Sequence, residues 1–413
     1  MNGSTPAESR AAAQRAKQAP VTNVSLVVAC QVFHGLTFGA IPLFLPLIRE
    51  DLQMSFSQAG VLSAAATLSY GLGQIPAGYL SDRFGPRRLF FIGLLGWSVL
   101  SLNFGLIHAF WAGVVNQLVA GAFRALLFAP GLALLASWFP PERRATAMSL
   151  YMVGGFSGTI VLALLGPLLA HHMGWRSTYI VFAALGVAAA LAYRALGAEK
   201  PRTGGGPHFG LLEAVRVFRH RILWVCGAIQ FVRFAVVASF NFWLPSLLVA
   251  DRGMSLAAAG VVTAMSAAFT ALSNALGGYV SDRLKNPPLV VGGSLAVLAC
   301  ASALLVVVEP LALLLLVVAV NAAFLQFYFG PLFFVPVEVL GSRTAGIATG
   351  FTNLFANFGG LVSAYALGVV KDAAGTFTWG FFGISALCVI GVVLSAVLAR
   401  IRSRMLAAQQ APG

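Results

Sequence analysis

Charge is scarce in this chain of 413 residues. Only 9% of them are Asp, Glu, Lys or Arg, against about 25% in a soluble globular domain. The shortage excludes an ordinary soluble enzyme. With 59% of residues hydrophobic, it also excludes intrinsic disorder, which needs few apolar residues and much charge. Acid is scarcer still: 12 Asp and Glu stand against 26 Lys and Arg, a net charge of +14. A basic balance suits a nucleic-acid binder when the cations cluster on one polar face. Here they stand in short tufts between long apolar runs, so nucleic acid is not an expected partner. Cysteine is rare as well. Cys30, Cys226, Cys300 and Cys388 all lie in apolar runs without metal-ligand spacing, and read as small buried hydrophobes. There is no HExxH or GxSxG motif and no paired His/Asp cluster, and Gly204-Gly205-Gly206-Pro207 lacks the Lys-Ser/Thr of a phosphate loop. No enzymatic activity, metal or cofactor is expected.

What the chain has instead is twelve apolar stretches, each near the roughly 20 residues that cross a hydrocarbon core. They span about 23–48, 57–81, 88–107, 111–138, 145–170 and 175–197, then 222–249, 256–281, 288–308, 310–337, 344–370 and 376–400. The expected fold is an all-α polytopic membrane protein of two six-helix bundles, 23–197 and 222–400. A linker at 198–221 joins them, between tails at 1–22 and 401–413. The first 22 residues are polar and basic, with no apolar core or cleavage site, and do not read as a signal peptide. Twenty of the 26 basic residues fall on one side of this layout and four (Arg49, Arg176, Arg252, Lys371) on the other. By the positive-inside rule, both termini are cytoplasmic and the protein sits in the inner (plasma) membrane.

The halves repeat. Gly78-Tyr79-Leu80-Ser81-Asp82-Arg83 returns as Gly278-Tyr279-Val280-Ser281-Asp282-Arg283, and Met54-Ser55 as Met254-Ser255, at an offset of 200. Six spans per half give the copies the same orientation. Parallel repeats of this kind place a transporter's substrate site at their interface, near the bilayer midplane.

The loop Gly78-Tyr79-Leu80-Ser81-Asp82-Arg83-Phe84-Gly85-Pro86-Arg87-Arg88, after the second span, resembles the signature loop of the major facilitator superfamily, and the twelve-span layout is similar to that family over residues 23–400. Gly78 is expected to let helices approach closely and Gly85 to permit a tight turn. The resemblance implies that Asp82 and Arg83 latch the two halves in an outward-open state, with Arg143 as partner and Arg87 in the same loop. Asp282 and Arg283 form a weaker second copy, which lacks the glycine and reads Leu284-Lys285-Asn286-Pro287. Two other family patterns are degraded. Gln117 stands where many members have an arginine, four residues before Gly121, and the antiporter pattern survives only as Gly154, Gly158 and Gly166-Pro167. Trp138-Phe139-Pro140-Pro141-Glu142-Arg143 and Gly174-Trp175-Arg176 look like the anion-transporting branches of the family, whose members imply a monomer in contact with membrane lipid.

An ionisable residue at the bilayer centre costs at least about 2.5–3.5 kcal/mol. Arg124 lies midway along the fourth span and Arg233 about eleven residues into the seventh, roughly 17 Å deep at 1.5 Å per residue. His34 is the positional equivalent of Arg233 in the first span, at an offset of 199, as Gln31 is of Gln230. All twelve acids lie in loops, tails or near helix ends, so no deep carboxylate neutralises either arginine. A guanidinium without a counter-charge suits a substrate that supplies one, because its fork binds a carboxylate bidentately. Gln326, Tyr328, Asn241, Asn353 and Asn357 are candidates to complete a polar site. Phe38, Phe231 and Phe234 are candidates to wall it. His34, whose ordinary pKa lies near physiological pH, is the candidate for proton coupling. The expected function is secondary transport of a small organic anion, a carboxylate, by proton symport or anion exchange. The alternative is efflux of drugs or amphipathic metabolites.

Overall fold

The computed structural model describes residues 6–139, 144–198, 219–340 and 345–410, and every regular element among them is a helix. In chain order these are α1 (Pro6–Phe38), α2 (Ala40–Asp51), α3 (Phe56–Phe84), α4 (Pro86–Phe104), α5 (Phe110–Ser137), α6 (Arg144–Leu196), α7 (Arg221–Ala250), α8 (Leu256–Leu284), α9 (Pro287–Val307), α10 (Leu311–Leu325), α11 (Phe329–Leu340), α12 (Ala345–Ala374) and α13 (Thr378–Gln410). α1 and α2 make one pass that continues through Gly39, whose N–H donates to the Gly35 carbonyl at 3.1 Å. α10 and α11 make another, interrupted at residues 326–328. α6 is two passes that meet at Gly174 (φ 78°, ψ 159°). Nine described segments are long and apolar enough to cross a membrane, one of them covering both passes of α6. α3 and α4 complete twelve. The first helix begins at Pro6, inside the expected tail, where an Ala-rich sequence favours helix.

The repeated residues have a local cause. Ser55 opens α3 with a capping box: its hydroxyl accepts the Gln58 N–H at 3.1 Å, and the Gln58 side chain accepts the Ser55 N–H at 2.9 Å. Ser255 opens α8 by accepting from Ala258 N at 3.2 Å. The repeated Met-Ser is thus a helix start, and a serine cap is worth about 1 kcal/mol. At the other end, Gly85 (φ 84°, ψ 143°) both closes α3 and opens α4, a backbone region essentially reserved for glycine. Lys285 takes the corresponding turn with φ 50°. The strain there is met by Asn286, whose side chain accepts the Leu289 N–H at 3.4 Å, and by Pro287 at the start of α9.

The bundle has a termini side, which carries the Gly85 turn and the end of α13, and a far side, which carries the α2–α3 turn. The halves close on the far side. α3 and α12 run antiparallel across the interface: Gly368 meets the Phe56 carbonyl, Gly60 lies against Ala364 and Tyr365, and Gly71 lies against Asn357. Gly260 of α8 seats on Ala163 of α6. The Asp372 carboxylate, at the end of α12, accepts from the backbone N–H groups of Phe56 (2.9 Å) and Ser57 (2.7 Å), the first turn of α3. This is a helix cap supplied by the opposite half. Around it Arg49 stands 3.2 Å from the Phe56 ring centroid. Phe56 packs on Trp243 and Phe377 at 6.1 and 5.5 Å, and Lys371 pairs with Asp251.

Towards the termini side this closure ends. Asn353 of α12 donates to Gln74 of α3 at 2.7 Å, but one turn further a Cβ on Gly78 would meet nothing within 4 Å, and the same holds at Gly278. Among the described residues, nothing packs on the Cβ position of Gly78, where a close helix approach was expected.

A carboxylate on a helix N-terminus is worth about 1 kcal/mol, or about a fivefold population shift. Asp372→Asn should move the far side towards opening by that factor. Distance distributions between spin labels on the first turn of α3 and the last turn of α12 would show a larger long-distance population, and an unchanged distribution would remove Asp372 from the closure.

Candidate functional site

Four elements of the N-terminal half assemble around Arg124. α5 presents its guanidinium between two aromatic faces, 4.1 Å from the Phe38 centroid on α1 and 4.2 Å from the Tyr70 centroid on α3. Such contacts bring about 0.5–2 kcal/mol each, more where water is excluded. The five N–H donors of Arg124 have no hydrogen-bond or ion-pair partner among the described residues. His34, one turn before Phe38, stacks on the Phe38 ring (5.9 Å between centroids, 14° between planes) and leans on Trp97 of α4 at 5.3 Å. Trp97 is held by donating to Thr37 Oγ1 at 2.7 Å. The Nε2 atoms of His34 and Gln31 are buried without a partner among the described residues.

Arg233 on α7 is held otherwise. It is 3% exposed. Its Nε donates to Gln230 Oε1 at 2.5 Å and its Nη1 to Gln326 Oε1 at 3.2 Å, while Phe329 lies 5.0 Å from its guanidinium carbon. Gln326 and Phe329 flank the interruption between α10 and α11, and Gly277 of α8 seats directly on the Phe327 carbonyl within it. Tyr328, fully buried, lies beside Arg233, and its hydroxyl has no partner among the described residues. Both described acceptors on Arg233 are neutral amides, so no described residue compensates its charge.

Three described acids, all at or near helix ends, are paired with other cations. Glu338 holds Arg402 bidentately at 2.6 and 2.7 Å, Asp51 holds Arg176 at 2.8 Å, and Asp251 holds Lys371.

Of the expected polar partners, Gln326 and Tyr328 gather at Arg233. Asn353 and Asn357 gather instead on α3: Asn353 reaches Gln74, and Asn357 donates to the Asn353 carbonyl at 2.8 Å. Asn241 joins neither group. It is exposed while Arg233 is buried, because eight residues carry it about 80° round the helix from Arg233. Of the expected walls, Phe38 stands on Arg124 and the Phe234 ring lies 5.6 Å from the Arg233 guanidinium carbon while also packing on Gly360 of α12, whereas Phe231 lies with its backbone carbonyl against Gly359. Tyr70, Gln74, Gln31, Gln230 and Phe329 were not singled out as site residues by sequence. The equivalence of Gln31 and Gln230 in the repeat was the one available sequence signal, and both amide Nε2 atoms are buried without a described partner.

The signature-loop cations make contacts within their own half. Arg83 lies 5.4 Å from the Phe84 ring, Arg87 donates to the Arg194 carbonyl at 3.2 Å, and Arg283 donates to the Tyr279 hydroxyl at 3.3 Å. Arg143 and the Asp82 side chain lie outside the described residues, and Asp282 makes no described ion pair. Gly154 and Gly158 serve as packing sites for α1, lying against Val28, Val32 and Gly35.

Twelve helical passes in two repeated halves, with an unneutralised guanidinium in each, define a multi-pass membrane protein of the transporter type. The model of the Major Facilitator Superfamily matches residues 27–364, and the chain belongs to that family. It is 25% identical over 366 residues to a nitrite extrusion protein of Bacillus subtilis (strain 168), covering 84% of this chain and 86% of that one. It is 26% identical over 398 residues to a probable galactarate/D-glucarate transporter, GudP, of Escherichia coli (strain K12), covering 85% and 87%. The fold is that of the crystal structure of a bacterial homolog of the human lysosomal transporter Spinster, with a TM-score of 0.79 at 18% identity over 98% of this chain and 99% of that one.

Tyr70→Phe keeps the aromatic face on Arg124 and should leave anion affinity within about twofold. Tyr70→Leu removes it and, at about 1–2 kcal/mol, should weaken affinity by about five- to thirtyfold. Isothermal titration with a transported anion distinguishes the two; equal affinities would mean that the ring does not position Arg124.

Proposed function

We propose that this protein is a secondary active transporter that carries a small organic anion, a carboxylate, across the membrane by alternating access. The observation that carries the reading is Arg124: a cation held between two aromatic faces, with its hydrogen-bonding donors unspent and no described acid paired to it. A carboxylate supplies both the charge and the two acceptors that a guanidinium fork takes. Arg233 offers a second positive charge in the other half, and a sugar acid with a carboxylate at each end would use both. The relatedness to a galactarate/D-glucarate transporter supports that substrate class. The relatedness to a nitrite extrusion protein favours a second reading, export of the anion.

Coupling runs by proton symport or by exchange of one anion for another. With no described acid near either arginine, a symported proton travels on His34 or on the substrate itself. The distribution of basic residues supports both termini in the cytoplasm, and the family membership supports a plasma-membrane protein acting as a monomer. In that orientation the closed far side faces outward and the separated helix ends at Gly78 and Gly278 face inward.

Arg124→Ala and, separately, Arg233→Ala should each abolish anion uptake into proteoliposomes while the protein stays folded and monodisperse. Unchanged uptake in both would overturn the proposal. The substrate is found by a thermal-shift screen of purified protein against mono- and dicarboxylates, sugar acids and inorganic anions, since a ligand at 100 times its Kd stabilises the folded state by about 2.7 kcal/mol. Stabilisation should be lost in Arg124→Ala.

A further inference from the structure

A second cluster of arginines lies outside the candidate transport site. Arg87 and Arg88 in the first turn of α4, with Arg194 in the last turn of α6, line a cavity of about 250 Å³ together with Phe91 and Tyr193, the volume of roughly eight waters. Arg87 donates to the Arg194 carbonyl at 3.2 Å, which fixes the two helix ends together. The Arg194 guanidinium carbon stands 5.3 Å from the Phe91 ring centroid. None of the three arginines forms an ion pair among the described residues. Three like charges this close repel one another unless an anion sits between them.

Two further features give the cavity its chemistry. α4 starts at Pro86, its N-cap Gly85 offers no side-chain cap, and the backbone N–H groups of Arg87 and Arg88 are not spent on described bonds. The positive end of a 19-residue helix dipole is therefore open at the cavity. From the cavity towards the membrane interior, exposed apolar side chains continue along both helices: Ile92 and Val99 on α4, Leu185 and Leu191 on α6. A soluble phosphate would use only the guanidiniums and the helix end. A phospholipid would use those and the apolar strip as well.

We propose that this cavity binds the phosphate head of an anionic phospholipid, whose acyl chains lie along the strip between α4 and α6. The lipid neutralises the arginines that follow the Gly85 turn and ties the end of α6 to the start of α4, so it acts on the mechanical junction of the N-terminal half rather than on the transported anion.

The test uses the full-length protein in neutral detergent and the triple variant Arg87→Gln/Arg88→Gln/Arg194→Gln. Native mass spectrometry and thermal shift are read with short-chain phosphatidylglycerol, short-chain phosphatidylcholine and inorganic phosphate. Phosphatidylglycerol should bind and stabilise the wild type, phosphatidylcholine should not, and the variant should bind phosphatidylglycerol about a hundredfold more weakly, from about a fivefold contribution per arginine near the surface. Equal melting of wild type and variant in phosphatidylcholine verifies that the variant is folded. If the variant fails to fold, the single variant Arg88→Gln, at an exposed position, should still lose about fivefold. Stabilisation by inorganic phosphate equal to that by phosphatidylglycerol would overturn the lipid in favour of a soluble phosphate. Equal phosphatidylglycerol binding by wild type and variant would overturn the site.

Discussion

Each guanidinium within the membrane carries five N–H donors and a positive charge into a medium that answers neither, and the two arginines meet this constraint differently. Arg233 spends donors on the side-chain oxygens of Gln230 and Gln326. Arg124 is held by the faces of Phe38 and Tyr70, which stabilise the charge but accept no hydrogen bond in the plane of the group. The first arrangement braces one half of the protein across the interruption between α10 and α11. The second leaves a fork ready for an acceptor from elsewhere. The surrounding architecture serves this contrast, with His34, Trp97 and Thr37 fixing the Phe38 wall and Gln326 fixing Arg233.

The duplication supplies two frames with common starts and turns, and function resides where the copies differ. Ser55 and Ser255 both cap a helix start, but the corresponding turns differ: Gly85 has φ 84° and ψ 143°, whereas Lys285 is left-handed with φ 50° and ψ 22°. His34 and Arg233 occupy equivalent positions, one a ring stacked among aromatics and the other a cation clasped by amides. A half that had kept both arginines would place two like charges in one bundle; distributing them between halves lessens the repulsion and sets a cation on each side of the interface.

The passes were legible because length and hydropathy act locally, and Arg124 and Arg233 stood out because a deep charge violates that local rule. The setting of Arg124 was not legible. Phe38, Tyr70 and Arg124 come from three helices, and contact between a cation and a ring leaves no periodic spacing in the chain. The same limit applies to Asn353 and Gln74, which lie 279 residues apart and meet only because α3 and α12 run antiparallel. Gly78 shows the opposite limit: its sequence context suggests close packing, but whether a glycine has a neighbour depends on which face of the bundle is closed. Gln230 and Gln326 already take up part of the hydrogen-bonding capacity of Arg233, which no spacing in the chain reveals.

The Asn353–Gln74 hydrogen bond lies between a region of α3 that touches the opposite half and a region that does not. In a molecule whose halves rock, such a boundary behaves as a fulcrum, and points beside a fulcrum travel least. Tyr70 lies one helical turn from Gln74. Under the proposed alternating access, a charge resting on that ring would stay nearly stationary while the openings on either side of it exchange, and the energy of holding a cation in the membrane would not have to be supplied again in each cycle.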